Sequence, residues 1–195
     1  MSKRRIKKIA IIGNSDLGKA FAAQHHEYEY EIFERSQYDI TQRSACDAIL
    51  QQLVNFDVVL ITVGAVDEDP WQSIMANGLA PCYLTLKASE IPNLHIVVIS
   101  SLGAVWTSWP GIPKQRLVYN VAKNMTSNFV RDLYQSQISD NKITVIEPGR
   151  FKSKMNPTSG SDINNIVQAI YYAINSNSDL NVLAIQTTYH RQEDK

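Results

Sequence analysis

The sequence contains few of the residues that mark several common classes of protein. Only two of its 195 residues are cysteine, Cys46 and Cys82, and neither belongs to a CxxC pair or a histidine-rich cluster. A disulfide framework and a metal site are therefore not expected. Nineteen basic residues balance nineteen acidic ones, which leaves no net field to attract nucleic acid. No window approaches the about 20 apolar residues that a membrane span requires.

Length and composition indicate one compact unit. Hydrophobic residues make up 44% of the chain and no biased tract interrupts it, so we expect a single domain over residues 1–195. The reducing cytoplasm is the expected compartment, with neither nucleic acid nor a membrane as partner. Basic residues crowd positions 3–8, which permits a basic arm or the start of a signal peptide. The apolar run at 9–12 is too short for a signal peptide, which favours a solvated start to a first strand.

Short β-branched runs alternate with amphipathic stretches along the chain. Four of the runs are almost continuously apolar, as expected of parallel strands that helices cover on both faces. The pattern predicts an α/β fold, a Rossmann-like doubly wound parallel sheet in three layers. The predicted strands are 8–12, 30–33, 57–62, 95–100, 143–147 and 181–186, and the predicted helices are 16–26, 43–54, 71–88, 115–136 and 162–175.

The first predicted strand runs into the glycine-containing turn GNSDLG. Gly13 and Gly18 match the outer glycines of a dinucleotide-binding GxGxxG motif, and Ser15 stands where the middle glycine belongs. The same sequence is also compatible with a tight strand-to-helix turn that has Asp16 as the helix N-cap and binds no ligand. Glu34 follows Gly13 by 21 residues, close to the spacing at which an acidic side chain meets the adenosine ribose. This agreement favours a nucleotide cofactor.

The segment YNVAK contains a phenol and an ammonium group one helical turn apart. Tyr119 and Lys123 share a face beside the apolar stripe of the helix predicted at 115–136. A solvated pair at this spacing is common on helix surfaces. Upstream, however, a buried strand ends in Ser100 and Ser101, and open α/β sheets bind ligands at the carboxyl ends of their strands. The context therefore favours a catalytic constellation.

Taken in order, these motifs resemble those of the short-chain dehydrogenase/reductase family over nearly the whole chain. The turn GNSDLG is similar to the family's glycine-rich turn, and YNVAK to its YxxxK helix. Five further segments complete the ordered set, namely YDIT (38–41), TVGA (62–65), MANGLAP (75–81), VVISS (97–101) and EPGRFKSKM (147–155). They resemble the adenine-contacting Asp segment, the NNAG strand end, the Asn-bearing helix, the catalytic-serine strand and the PG segment, respectively.

The resemblance implies specific roles for residues of this chain. Four would be catalytic, namely Asn77, Ser101, Tyr119 and Lys123. Asp39 would contact the adenine, and Ser153 would hold the nicotinamide carboxamide. The full implied cofactor set is Gly13, Asn14, Ser15, Leu17, Gly18, Glu34, Arg35, Ser36, Asp39, Ile40, Val63, Gly64, Ala65, Tyr119, Lys123, Pro148, Gly149 and Ser153.

The implied activity is hydride transfer between a nicotinamide cofactor and a small carbonyl compound or its alcohol. Tyr119 would act as general acid or base, Ser101 would hydrogen-bond the substrate oxygen, and Lys123 would favour the phenolate electrostatically. Glu34 suits the ribose of NAD, whereas Arg35 and Ser36 resemble a phosphate-binding pair, so NADP is favoured weakly over NAD. The helices at 71–88 and 115–136 resemble those through which the family forms homodimers and homotetramers.

Three other functions compete with this one. A catalytically silent NAD(P)-binding regulator or redox sensor would keep the fold, although it would need no proton donor such as Tyr119. An assembly subunit would use the same helices for contacts. Nucleotide-sugar epimerases resemble the family but need a C-terminal substrate domain that is not evident here. A small substrate is therefore favoured.

The chain departs from the family pattern at several points. The glycine turn is one residue shorter, and Ile12 replaces the usual threonine. No helix fits between Arg35 and Asp39, so the adenine side should be open. The long segment between Ser101 and Tyr119 contains Trp106, Trp109 and Pro110 and would either line a substrate pocket or cap the sheet. The basic residues of segment 150–154, Arg150, Lys152 and Lys154, read as a solvated loop more readily than as an anion site.

Pro81 falls inside a predicted helix. Because proline has no N–H to donate to the carbonyl four residues earlier, it would leave the carbonyl of Asn77 without its helical partner. Gly78 would make the distortion easier. In the family that the chain resembles, this carbonyl holds a water in a proton path, so we expect either a water site that relays protons to Lys123 and Tyr119 or a simple kink.

Overall fold

The computed structural model describes residues 6–104, 111–154, 156–176 and 181–185. Within these ranges the chain forms one parallel sheet flanked by helices. The predictions that concern the basic residues at positions 3–5, the loop with Trp106, Trp109 and Pro110, and Met155 lie outside the described residues. The strands are β1 (Lys8–Ile12), β2 (Glu29–Phe33), β3 (Val58–Ile61), β4 (His95–Ile99), β5 (Ile143–Pro148) and β6 (Val182–Ile185).

The helices alternate with the strands along the chain, as the sequence predicts. Short 3₁₀ turns follow α2 and β4, at Leu53–Asn55 and Leu102–Ala104. A π-helical turn, Met75–Leu79, joins α3 to α4. The α-helices are α1 (Asp16–Gln24), α2 (Arg43–Gln52), α3 (Pro70–Ile74), α4 (Ala80–Ala88), α5 (Lys114–Gln135) and α6 (Ile163–Asn175).

The six strands pair in parallel in the order β2-β1-β3-β4-β5-β6. The chain passes from β1 to β2 on one side and then returns across β1 to β3. The strand order therefore reverses between β1 and β3, and crevices at such switch points are where open α/β sheets bind ligands. β2 is an edge strand, and only turns connect it to α2, so no helix separates Arg35 from Asp39.

Two hydrophobic cores lie on opposite faces of the sheet. Alternate residues of β1 and β3 point to opposite sides because successive side chains of a strand do so. Ala10 and Val59 belong to the core under α2, α4 and α5, whereas Ile11 and Leu60 belong to the core under α1 and α6. The continuous apolar runs in the sequence reflect this burial on both faces. The predicted three-layer doubly wound sheet is confirmed.

The largest difference from the predicted elements concerns the helix at 71–88, which is three pieces. Asp69 caps its start by accepting from the N–H of Trp71, and the π-helical turn interrupts its middle. The N-cap of α1 is Ser15, whose hydroxyl accepts from the N–H of Gly18 at 3.0 Å, and not Asp16 as the ligand-free interpretation proposed. Asp16 is the first residue of the helix, and its carboxylate accepts a hydrogen bond from the backbone N–H of Lys154.

Among the described residues, no helix combines the length and apolar character needed to cross a bilayer. In the same part of the chain, no group of three or more histidine, cysteine, aspartate or glutamate side chains is arranged to hold a metal ion.

Candidate active site

Two adjoining cavities open at the carboxyl ends of the strands. The larger, about 610 Å³, extends from the turn after β1 to the first half of α5, and the smaller, about 200 Å³, lies toward β2. Their linings share residues that follow β1 and β3, namely Asn14, Ser15, Thr62, Val63 and Gly64. The two cavities therefore form one cleft across the switch point of the sheet.

The glycine turn after β1 forms the floor of this cleft. Gly13 has a backbone φ of +100°, a conformation that other residues rarely adopt, and a Cβ there would approach Val63 to 3.2 Å. Gly18 lines neither cavity. A Cβ on Gly18 would meet Ile11 at 2.9 Å, so this glycine lets α1 pack closely on the sheet. The predicted turn is thus present, with Leu17 buried against the larger cavity.

A contact crosses the cleft at the start of α1. The carboxylate of Asp16 accepts from the backbone N–H of Lys154 at 2.6 Å, and the ammonium of Lys154 lies 3.9 Å from the same carboxylate. Both residues line the larger cavity. The segment after β5 is therefore fastened to the N-terminus of α1, where the positive end of the helix dipole lies.

Tyr119 and Ser101 meet inside the larger cavity. Tyr119 is buried in the first half of α5, and its hydroxyl hydrogen-bonds with the Ser101 side chain. The Ser101 hydroxyl also accepts from the N–H of Gly103 at 3.0 Å, which fixes its orientation. Burial raises the pKa of Tyr119, while the charge of Arg116 and the bond with Ser101 act to lower it. A raised pKa keeps the phenol protonated at neutral pH.

Lys123 lies one turn further along α5 and is almost fully buried. Its ammonium group donates to the carbonyls of Val63 at 2.6 Å and Ile99 at 3.0 Å, at the ends of β3 and β4. Burial lowers the pKa of Lys123 to about 7. Its Nζ atom lies 6.0 Å from the centre of the Tyr119 ring. The charge of Arg116 also acts to lower the pKa of Tyr119, and the electrostatic influence expected of Lys123 stays a prediction.

The two serines that end β4 have different environments. Ser100 is buried, donates to the carbonyl of Lys123 at 3.0 Å and accepts from Ser127 at 2.6 Å. These bonds hold the middle of α5 against β4. Ser101, by contrast, has its hydroxyl beside Tyr119. Both serines line the larger cavity, and the catalytic role of Ser101 stays a prediction.

Asn77, the fourth implied catalytic residue, lines neither cavity. Its side chain is fully buried and clamps the backbone after β3, because Oδ1 accepts from the N–H of Ala65 at 3.0 Å and Nδ2 donates to the Ala65 carbonyl at 2.6 Å. A further bond from Nδ2 reaches the carbonyl of Ser73 at 2.8 Å. The Asn77 side chain therefore holds the wall of the smaller cavity, which includes Ala65.

The main-chain oxygen of Asn77 lies in the π-helical turn. Pro81 offers it no N–H, as predicted, and the hydroxyl of Thr126 on α5 donates to it at 2.8 Å. A Cβ on Gly78 would meet the end of the Met125 side chain and approach the Ala122 carbonyl to 3.3 Å, so this glycine lets the turn approach α5. Thr126 thus takes one acceptor site of the carbonyl, and the water-mediated proton path stays a prediction.

Pro81→Ala tests that path. The new N–H should compete with Thr126 for the Asn77 carbonyl and raise the free energy of unfolding by about 1 kcal/mol, the net value of one backbone hydrogen bond. If the second acceptor site of the carbonyl serves a proton path, turnover should fall and the solvent isotope effect should change. Denaturant titration and kinetics in H₂O and D₂O measure both. Pro92→Ala, in a loop, is the matched control, and a stabler variant with unchanged kinetics would leave only a kink.

The smaller cavity lies where the resemblance expects the adenosine half of a cofactor. Of the implied residues after β2, Arg35, Asp39 and Ile40 line it, whereas Glu34 and Ser36 do not. Asp39 accepts from the N–H and hydroxyl of Thr41 at 3.1 and 2.8 Å, and the Nε atom of Arg35 lies 3.9 Å from it. The Arg35 side chain is 62% exposed, so its guanidinium can reach a ligand at the cavity mouth.

The segment after β5 closes the opposite wall of the larger cavity. Pro148, Gly149 and Ser153 all line it, as the resemblance implies, and so do Arg150 and Lys154. Ser153 exchanges two backbone hydrogen bonds with Asn156, which shapes a tight turn. The backbone of Gly160 packs closely against this segment, because a Cβ there would lie 2.6 Å from the Arg150 carbonyl oxygen.

Two residues that matter to the site were not predicted. Arg116 lines the larger cavity, with its guanidinium carbon 5.4 Å from the centre of the Tyr119 ring. Its position three residues before Tyr119 places both on one helix face, which is a signal that the sequence does contain. Thr126 donates to the Asn77 carbonyl across 49 positions of sequence, and no local pattern indicates such a contact.

The fold matches that of known oxidoreductases although the sequence is distant from them. No protein-family model and no curated protein sequence matches the chain. A small-chain dehydrogenase solved with NADPH has a TM-score of 0.72 and 13% identity, over 92% of this chain and 97% of that chain. The 3-alpha-hydroxysteroid dehydrogenase of Pseudomonas sp. B-0831, complexed with NADH, has a TM-score of 0.74 and 15% identity, over 91% and 94%.

The NADPH-dependent 3-quinuclidinone reductase of Rhodotorula rubra has a TM-score of 0.72 and 13% identity, over 93% of this chain and 90% of that chain. These structures share one architecture, and the described sheet and helices follow it. The chain therefore has the fold of the short-chain dehydrogenases/reductases.

Proposed function

We propose that this chain is an NAD(P)-dependent oxidoreductase, a single nucleotide-binding domain that interconverts a small carbonyl compound and its alcohol. The observation that carries the proposal is one cleft that contains both the glycine turn and the Ser101, Tyr119 and Lys123 side chains. The solved structures with the same fold include dehydrogenases and reductases bound to NADPH or NADH. Fold and side-chain constellation support the same activity.

The residues present suit a dinucleotide. The cleft is elongated and crosses the switch point of the sheet, as an extended two-nucleotide ligand requires. The turn at Gly13 brings backbone close to the cleft, and the start of α1 offers N–H groups to a pyrophosphate. Arg35 lines the adenosine end, whereas Ser153 lines the end that contains Tyr119. The negative charge of Asp16 would repel an anion at the start of α1, but the carboxylate already accepts a hydrogen bond from the N–H of Lys154.

The chemistry follows from three side chains. A bound reduced nicotinamide would supply a hydride, with its electron pair, to the carbonyl carbon. Tyr119 would give the carbonyl oxygen a proton, which completes the alcohol and leaves a phenolate that regains its proton from solvent. Ser101 would donate a hydrogen bond to the same oxygen and stabilise the charge that develops on it. Lys123 would keep the ends of β3 and β4 in place around the reacting groups.

The protonated state of Tyr119 favours its role as an acid. Because burial raises its pKa, the phenol holds its proton at neutral pH and can donate it during reduction. For the reverse reaction it must lose that proton, which the Arg116 charge assists. Near pH 7 Tyr119 is therefore in the protonation state that reduction of a carbonyl requires.

A catalytically silent NAD(P)-binding regulator is the second candidate. The shortened glycine turn after β1 permits it, because such a protein would keep the fold without turnover. Against it, Ser101 and Tyr119 are hydrogen-bonded in a cavity with room for a substrate. A binding protein needs no such pair. The enzyme therefore remains the better proposal.

Homodimer or homotetramer formation is part of the proposal. The helices that the resemblance connects with assembly expose apolar side chains. Leu117 and Val121 on α5 are 38% and 53% exposed, and Trp71 on α3 is 63% exposed. Light scattering of the purified chain measures its mass directly, and a monomer at all concentrations would contradict this part of the proposal.

Arg35→Ala should change the affinity for NADPH much more than the affinity for NADH. We expect the dissociation constant for NADPH to rise about 10-fold or more, because a guanidinium that forks onto a 2′-phosphate forms charge-assisted hydrogen bonds. The constant for NADH should change little. Calorimetric titration of both cofactors provides the measurement. Arg43→Ala removes an exposed arginine that lines neither cavity and is the matched control. An unchanged NADPH affinity in Arg35→Ala would show that NADP is not favoured by this residue.

The proposed activity is tested by adding NADPH or NADH to the purified chain and following its oxidation with a panel of aldehydes, ketones and quinones. Loss of absorbance at the reduced nicotinamide band that depends on both the protein and the carbonyl compound is the expected result. Binding without oxidation across the panel would favour the regulator, and absence of binding would overturn both candidates.

A further inference from the structure

The larger cavity contains more positive than negative charge. Its lining includes four basic side chains, Arg116, Lys123, Arg150 and Lys154, and one acidic side chain, Asp16. A cavity with this balance attracts anions. A dinucleotide pyrophosphate bound at the start of α1 would explain positive charge at that end of the cavity, where Asp16 and Lys154 lie. It would not explain the positive charge of Arg116 beside Tyr119.

Three of the four basic groups already have partners. Lys123 donates to two strand carbonyls, and Lys154 pairs with Asp16. The guanidinium of Arg150 lies 3.3 Å from the Ser159 hydroxyl. Arg116 differs, because in the described part of the chain neither a hydrogen bond nor an ion pair engages it, and its guanidinium lies over the Tyr119 ring.

The location of Arg116 is unfavourable for the protein alone. It lies in the first turn of α5, where a cation is repelled by the positive end of the helix dipole, and that turn contains no acidic residue. Pro113, the N-cap residue, makes no side-chain cap. A half-buried cation that has no counter-ion among the described residues is stabilised when an anionic ligand binds. A planar guanidinium suits carboxylate and phosphate groups equally.

We infer that the carbonyl substrate is itself anionic and that Arg116 binds its charged group, a carboxylate or a phosphate, while Tyr119 acts on its carbonyl oxygen. The inference rests on the proposed carbonyl reduction and adds the class of substrate. Because Arg116 and Tyr119 lie one helical turn apart with the guanidinium over the ring, the anionic group is separated from the carbonyl by only a short carbon chain. Short oxo acids and phosphorylated ketones meet both conditions.

Matched substrate pairs test the inference. Acetoacetate is compared with its neutral methyl ester, and dihydroxyacetone phosphate with dihydroxyacetone, with NADPH as reductant. The wild-type protein should reduce at least one anionic member with a higher kcat/KM than its neutral partner. Arg116→Gln should lower the anionic-to-neutral ratio of that pair about 10-fold or more, mainly through KM, and Arg116→Lys should restore part of it. The pair that responds distinguishes a carboxylate from a phosphate substrate.

The ratio is the appropriate readout because Arg116 also influences the pKa of Tyr119, which affects both members of a pair alike. Lys114→Gln removes a charge from the same turn of α5 outside the cavity and should leave the ratio unchanged. As a readout without turnover, calorimetry should show 3-hydroxybutyrate binding lost in Arg116→Gln if the carboxylate pair is the one that responds.

An anionic-to-neutral ratio that is equal in wild-type protein and Arg116→Gln for both pairs would overturn the inference. Neutral ketones reduced in that same experiment would leave the proposed function intact. If no compound is reduced, the inference is overturned as well, and NADPH titration of the same samples then shows whether the cofactor proposal fails with it.

Discussion

Tyr119→Phe should lower turnover more than about 100-fold and leave the affinity for the nicotinamide cofactor nearly unchanged, because a general acid contributes about 10²–10⁴-fold. The substitution removes one oxygen atom from a buried side chain that hydrogen-bonds with Ser101. The proton for the carbonyl oxygen would then have to come from water. Single-turnover kinetics with saturating NADPH, together with cofactor titration, separates loss of chemistry from loss of binding.

Tyr134→Phe is the matched control for this variant. Tyr134 lies near the end of the same helix, is exposed and lines neither cavity, so removal of its hydroxyl should change neither rate nor affinity. Residual activity of Tyr119→Phe above about one hundredth of wild type would show that another group donates the proton.

Lys123→Met should strongly lower turnover and change how the free energy of unfolding depends on pH. The methionine fills similar space but leaves the carbonyls of Val63 and Ile99 without their donor, so the walls of the cleft lose the bonds that hold them. We expect turnover to fall about 100-fold, the scale on which a displacement of about 1 Å among reacting groups lowers a rate. Folding of the variant is checked by circular dichroism before any rate is interpreted.

The pH dependence has a definite sign. Burial lowers the pKa of Lys123 in the folded protein to about 7 from an ordinary value of 10.5, so between these values the unfolded chain binds one proton more than the folded chain. The free energy of unfolding contributed by Lys123 therefore rises with pH across this window, at up to about 1.4 kcal/mol per unit. Both strand carbonyls stay satisfied, because a neutral amine still has two N–H donors.

Denaturant titrations of wild-type protein and Lys123→Met between pH 6 and pH 10, on the order of one titration per unit, provide the comparison. The difference between the two free energies should increase with pH and reach a plateau only above the ordinary lysine value. Other groups, such as His95, whose pKa burial lowers to about 4, contribute equally to both proteins and cancel. A difference that is independent of pH would mean that Lys123 keeps its ordinary pKa in the folded chain.

Much of the architecture could be predicted because it depends on local patterns. The strand positions follow from continuous β-branched runs, since only strands buried on both faces tolerate them. Observed and predicted strand limits agree within one residue, for example Lys8–Ile12 against 8–12 and Val58–Ile61 against 57–62. Helical spacing placed Tyr119 and Lys123 on one face of the helix, the serines that end β4 indicated a site there, and both residues line the larger cavity.

Contacts between distant parts of the chain account for what the sequence could not predict. The π-helical turn at Asn77 depends on Thr126 and on space beside Met125, which lie 48 to 49 positions away. The hydrogen bonds of the buried Lys123 ammonium group also reach distant parts of the chain, at the ends of two strands. Helix spacing gave Arg116 the same face as Tyr119, but only the cavity identified it as a site residue.

The central claim is that Tyr119 and a bound nicotinamide reduce a carbonyl in one cleft, and transfer of an isotope tests it most directly. The protein is incubated with NADPH deuterated at the transferable position of the nicotinamide and with the carbonyl compound that gives the fastest oxidation in the panel. Mass spectrometry of the alcohol should find one deuterium on the former carbonyl carbon, and Tyr119→Phe should form about 100-fold less of this product. Alcohol without deuterium, or bound cofactor that transfers none to any compound of the panel, would contradict the account.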